Sequence, residues 1–292
     1  MSSQGKGKQP ITLIKTAIST LFIHPAILFP YAIIAFYEFL IFELLFFAPR
    51  YPLVNFFGPI IRKLEGDIFL HYPFSYYVLA KWFQSTLLQS IISVVLNSFF
   101  IGMSVAIINA INNGQPVVLK AAFKRTLASY VHLFIGVALP VATMIGLSQL
   151  HELVINRALI IRSTTGIYYV LKQAVLLSIP YFNLLLAVFS TALFIYVIPS
   201  IIIDKKKIFG ALVSNFKILW KSSGFTFLVL LLPALLYLPV ILLQSTTSIY
   251  KNAAPPELLG ILALVGIILS IVIDIIHYTT MTTYYLLKKE EK

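Results

Sequence analysis

The sequence contains no cysteine. That excludes structural disulfides, cysteine metal sites and thiol catalysis, and it leaves the redox compartment unread. Acidic residues are scarce as well, 10 against 22 Lys and Arg, for a formal net charge of +12. The enzymatic signatures are missing: there is no G-x-S-x-G nucleophile elbow, no G-x-x-x-x-G-K-S/T phosphate loop, no G-x-G-x-x-G and no H-E-x-x-H. His151 and Glu152 are adjacent but lack a spaced second histidine, so a solvated polar pair in an outer loop is expected there rather than a metal site. The expectation is a chain that is not an enzyme and implies no cofactor.

What the chain has in quantity is apolar surface. It is 59% hydrophobic with a mean hydropathy of +0.93, more than a soluble core of 292 residues can hide. Several windows reach the length of about 20 apolar residues that crosses a hydrocarbon core as a helix. Spans are expected at about 25–48, 76–109, 130–150, 168–203, 224–243 and 258–287, within one integral membrane domain over 1–292. The second is longer than a bilayer needs and should tilt or project. Pro180 suits a kink in the fourth, and Pro255 and Pro256 suit the start of the sixth. The first residues place charge before an apolar run, as a signal peptide would, but without a small-residue cleavage site, so the segment is read as retained. Six spans put both termini on one side.

Between the fourth and fifth spans lies IIIDKKKIFGALVSNFKILWKSSGF, residues 201–225. On a 3.6-residue period Ile208, Phe209, Leu212, Val213, Phe216, Leu219 and Trp220 form one stripe, with Lys207, Ser214, Lys217 and Lys221 elsewhere, which predicts an interfacial amphipathic helix. The same pattern occurs in QPVVLKAAFKRTLASY, where Val118, Leu119, Ala122, Phe123 and Leu127 oppose Lys120, Lys124 and Arg125. It recurs in QPITLIKTAISTLF, where Ile14, Ala17, Ile18, Leu21 and Phe22 oppose Lys15, Thr16 and Ser19. The two QP stretches align without a gap at an offset of 106, and SYYVLAKWF and IYYVLKQAV open the second and fourth spans alike. These matches predict an internal repeat: a span entering one face, a basic amphipathic helix lying there, and a span leaving it. Two copies are complete, and a third is split between the chain ends. The fold class expected is therefore an all-α polytopic bundle of six transmembrane helices with three basic amphipathic interfacial helices.

Charge orients the bundle. The face holding the termini and amphipathic helices carries fourteen Lys and Arg: Lys6, Lys8 and Lys15; Lys120, Lys124 and Arg125; Lys205, Lys206, Lys207, Lys217 and Lys221; Lys288, Lys289 and Lys292. The opposite loops carry six. The positive-inside rule then places both termini in the cytoplasm of a cell-membrane protein. Anionic lipid is the first partner such a face implies; a membrane or cytoplasmic protein and a homo-oligomer are compatible with it, and nucleic acid is not favoured.

The stretch FIYVIPSIIIDKKKIFGALVSNFKILWKSSGFTFLVLLL, with Pro199, Asp204, Ala211 and Ser214 as fixed points, resembles a signature of prokaryotic six-helix membrane proteins. That group comprises the YciC-like proteins and the membrane domain attached to some glycerophosphoryl diester phosphodiesterases. The resemblance covers about residues 95–245 in two copies and implies no activity for the membrane part. Where the group has an enzyme, it is a separate soluble domain.

Ionisable residues inside spans complete the candidates, because a carboxylate in hydrocarbon is costly unless paired, protonated or facing water. Glu38 sits near the middle of the first span and Glu43 further outward; Asp274 and His277 lie one turn apart on the sixth. Glu38 is expected to meet Asp274 or His277 if the first and sixth spans are neighbours. Two functions compete: a non-enzymatic scaffold or accessory subunit that docks a partner or organises lipid through a basic cytoplasmic collar, and a transporter or channel component using the intramembrane carboxylates.

Overall fold

A chain this apolar satisfies its backbone in hydrocarbon only by closing every hydrogen bond within its own segments, and helices do so. A computed structural model describes residues 9–83, 93–160, 165–249 and 257–290, and these are helical with no strand among them. The helices are α1 (Pro10–Ile23), α2 (Leu28–Phe47), α3 (Val54–Leu64), α4 (Phe74–Phe83), α5 (Ser98–Asn112), α6 (Leu119–Ala128), α7 (Tyr130–Ile160), α8 (Gly166–Phe194), α9 (Val197–Asp204), α10 (Ile208–Ala234), α11 (Leu238–Ile249) and α12 (Glu257–Glu290). Six segments among the described residues are long and apolar enough to cross a membrane: Pro25–Phe47, Val94–Asn112, Tyr130–Ile160, Tyr181–Asp204, Ile208–Leu243 and Glu257–Glu290. The protein is an all-α multi-pass membrane bundle.

The spans follow one another around a ring. α2 packs on α5, α5 on α7, α7 on α9, α9 on α10, α10 on α12, and α12 returns to α2. Neighbours in sequence become antiparallel neighbours in space, as short connections require. α5 is deeply enclosed, with an unbroken buried run from Ile101 to Asn109, and it touches α9 and α12 across the ring as well. Its approach to α6 and α7 depends on Gly102, where an added Cβ would stand 2.8 Å from Leu133 Cδ1 and 3.0 Å from Thr126 Cγ2.

The amphipathic segments gather at one end of the bundle, each against a span: α6 on α5, the start of α10 on α9, and α1 on the last span, α12. The structure redraws their expected apolar stripes. The buried seams are narrow and built of smaller residues: Leu13, Ala17 and Leu21 in α1, Ala122 and Thr126 in α6, Ile208, Ala211 and Asn215 in α10. The large members of each stripe, including Phe22, Phe123, Phe209, Phe216 and Trp220, are exposed instead. Small residues let a helix approach the bundle closely, and the bulky ones are left on the face that meets hydrocarbon. The third amphipathic segment and the fifth span are two helical stretches of α10 that meet at a kink at Ser222, where the backbone leaves helical geometry with φ −140° and ψ 26°.

Boundaries differ elsewhere. The third span continues as helix to Ile160, so His151 and Glu152 lie on α7 and not in a loop, with the His151 ring stacked 3.9 Å from that of Phe182. The fourth is helical through position 180 and is interrupted instead at Ile195 and Tyr196, between α8 and α9. Of the expected second span, residues 84–92 lie outside those described, as do Lys6, Lys8 and Lys292. The 49–75 connection, expected as a loop, holds α3, whose far end is tied by an Arg62 to Asp67 ion pair of 2.7 Å.

Candidate functional site

Two polar regions stand out against this apolar frame. The larger is at the amphipathic end. α9 terminates there because Lys205 takes a left-handed conformation, φ 54°, and α10 restarts at Ile208. The turn leaves Asp204 facing α12. Tyr285 Oη donates to Asp204 Oδ2 at 2.7 Å, and Lys289 Nζ donates to Oδ1 at 2.8 Å. Lys206 Nζ stands 3.1 Å from Oδ2 and donates to Ser214 Oγ at 2.6 Å. One carboxylate, 16% exposed, thus ties together the ends of α9 and α12 and the first turns of α10.

Beside this knot a groove of about 860 Å³ opens between the first half of α10 and the end of α12. Lys206, Lys217, Lys221, Lys288 and Lys289 line it with Asp204 as the acid, and Val213, Phe216, Ile218 and Trp220 supply apolar wall. Lys217 and Lys221 are exposed and make no hydrogen bond or ion pair among the described residues. A second, smaller cavity of about 460 Å³ lies where α5, α6, α9 and α12 end. Arg125 reaches into it, donating to the Ile203 carbonyl at 3.4 Å while its Nε is buried without a partner among the described residues. Lys205 lines the same cavity, whereas Lys120, Lys124 and Lys207 are exposed outside both.

The second region is inside the spans. α2 and α12 lie side by side with Phe42 against Ala263 and Ile267. Antiparallel packing from that point brings Glu38 level with the turn around Asp274, and the two carboxyl groups are within electrostatic reach of each other. Asp274 is coupled in the same way to Tyr31 and Tyr278. The Tyr31 and Ser104 hydroxyls are buried close together beside it. His277 does not join them. Its Nε2 lies 2.7 Å from the Leu230 carbonyl, which can only accept, so the ring donates there. Pro233, with no N–H of its own and a ring crowding the preceding turn, loosens the α10 ladder at that level. Glu43 is half-buried further along α2 with no ion pair among the described residues.

Sequence reasoning missed the polar bridge that closes the interruption of the fourth span. Asn215, fully buried on α10, accepts the Tyr196 backbone N–H at 3.1 Å through Oδ1 and donates to the Leu193 carbonyl at 2.7 Å through Nδ2. Tyr196 Oη and Thr226 Oγ1 meet at 2.6 Å beside it. An asparagine in an otherwise apolar seam was the only signal available. Comparison with family models, curated proteins and solved structures finds no match to this chain.

Proposed function

We propose that this chain is a non-enzymatic scaffold of the cell membrane, with both termini cytoplasmic, that organises lipid or docks a partner through a basic collar. The observation that carries the reading is the gathering of α1, α6 and the first half of α10 at one end, with lysines and bulky apolar side chains on their outer faces. Such faces bind an anionic, hydrocarbon-backed surface better than water. A threefold internal repeat is part of the proposal. Each entering span (α5, α9, α12) packs on the leaving span of its own unit and on that of the preceding one, which supports it. The buried positions of α1 and α6 fall in step at Ala17 with Ala122 and Leu21 with Thr126, an offset of 105 rather than 106. α1 starts directly at Pro10 and α6 three residues after Pro116, and that extension absorbs the difference.

Orientation is testable because the chain has no cysteine of its own. Gln9→Cys at the collar end and Asn55→Cys on α3 are both exposed positions. An impermeant maleimide applied to intact cells is expected to label position 55 and to label position 9 only after lysis; the reverse pattern inverts the topology.

A second reading, cation passage, is favoured by the Glu38 and Asp274 carboxyl groups beside the buried Tyr31 and Ser104 hydroxyls, since oxygen ligands with no cationic partner among the described residues suit a small cation. Proteoliposomes decide between them. Under the scaffold reading, proton and sodium flux match those of empty vesicles, and Glu38→Gln with Asp274→Asn changes only thermal stability. Flux above the empty-vesicle level that the double variant abolishes would establish passage instead.

A further inference from the structure

We infer that the groove between the first half of α10 and the end of α12 holds the headgroup of one anionic glycerophospholipid. The inference rests on the collar reading and names its ligand. Asp204 is already engaged by Lys206, Lys289 and Tyr285, so it does not serve the rest of the groove. Lys217 and Lys221 are left facing the same space one turn apart, a like-charge pair that an α-helix tolerates at a cost unless an anion lies between them. A phosphodiester there would accept from both ammonium groups, charge-assisted bonds that are stronger than neutral ones.

The groove's shape and walls select among anions. Its volume of about 860 Å³ belongs to the range that encloses small molecules, and it is far larger than an inorganic phosphate requires. Phe216 and Trp220, which line it, also belong to the exposed apolar ridge of α10, with Phe209 80% and Trp220 90% exposed. A diacyl anion satisfies both parts at once: phosphate on the lysines, glycerol over the indole, and acyl chains leaving along the ridge into the bilayer. A free phosphate would leave the apolar wall against water, and a polynucleotide would leave the ridge uncovered.

The test is native mass spectrometry of the full chain released from nanodiscs of phosphatidylglycerol and phosphatidylcholine in equal parts. The expected result is one retained phosphatidylglycerol, preferred over phosphatidylcholine by about tenfold, and not displaced by millimolar inorganic phosphate. Lys217→Gln with Lys221→Gln should abolish that preference, while Lys120→Gln with Lys124→Gln, removing the same charge elsewhere on the collar, should leave it intact. Melting temperatures are read in parallel, and Lys221→Gln alone carries the test if the double variant fails to fold. If both double variants lose the preference equally, the site is wrong and diffuse attraction by the collar survives. If the wild type retains no anionic lipid preferentially, the site and the lipid-organising role fall together. Displacement by inorganic phosphate would make the groove a soluble-anion site and overturn the lipid.

Discussion

Replacing Asn215 with leucine is expected to destabilise the bundle by about 2–5 kcal/mol, because two buried backbone groups lose the side-chain partner that stands in for a helical one. The ladder of α8 stops at Phe194 and resumes in α9 at Val197. Tyr196 N–H and the Leu193 carbonyl are left at the gap, and the Asn215 amide supplies one acceptor and one donor in the right places. Leucine has nearly the same size and neither group. Thermal unfolding in detergent, followed by intrinsic fluorescence, measures the loss. Lys207→Gln, an exposed position on the same helix start, serves as the control and should stay within about 0.5 kcal/mol of the wild type. Equal melting of the Asn215→Leu variant and the wild type would mean the break is satisfied some other way.

The second large effect is expected at Asp204. Alanine there removes the carboxylate to which Tyr285 Oη, on a residue 3% exposed, donates, and releases Lys206 and Lys289 from their shared anion. The lysine pairs are partly solvated and contribute little by themselves. The buried tyrosine hydroxyl dominates, so a loss of about 1–3 kcal/mol is expected. The consequence is local as well as global, since Asp204 joins three helix ends. Backbone amides of 208–221 should exchange with solvent about tenfold faster in Asp204→Ala, while those of α5 keep wild-type protection. Uniform acceleration across the chain would show instead that Asp204 supports the whole bundle and not the collar.

Sequence and tertiary structure divided the work in a way that follows from range. The spans were legible because hydrophobic length is a local property that any window of about 20 residues carries. The three amphipathic helices were legible for the same reason, as their polarity repeats within a turn or two. Direction within those helices was not. Periodicity marks which residues are apolar, and in a membrane protein both the bundle and the surrounding lipid are apolar, so it cannot say which apolar side chain faces which. Packing decided that Ala211 goes inward and Trp220 outward, because only the small residue allows α10 to lie against α9. The carboxylates divide along the same line. Hydropathy marks Glu38 and Asp274 as out of place, and the return of α12 to α2 brings them together, while His277, one turn from Asp274, is claimed by the Leu230 carbonyl of a third helix. The bonds that Asp204 and Asn215 make belong to the tertiary structure. Their partners Tyr285 and Leu193 stand 81 and 22 residues away, and a contact of that separation leaves no trace in composition or period.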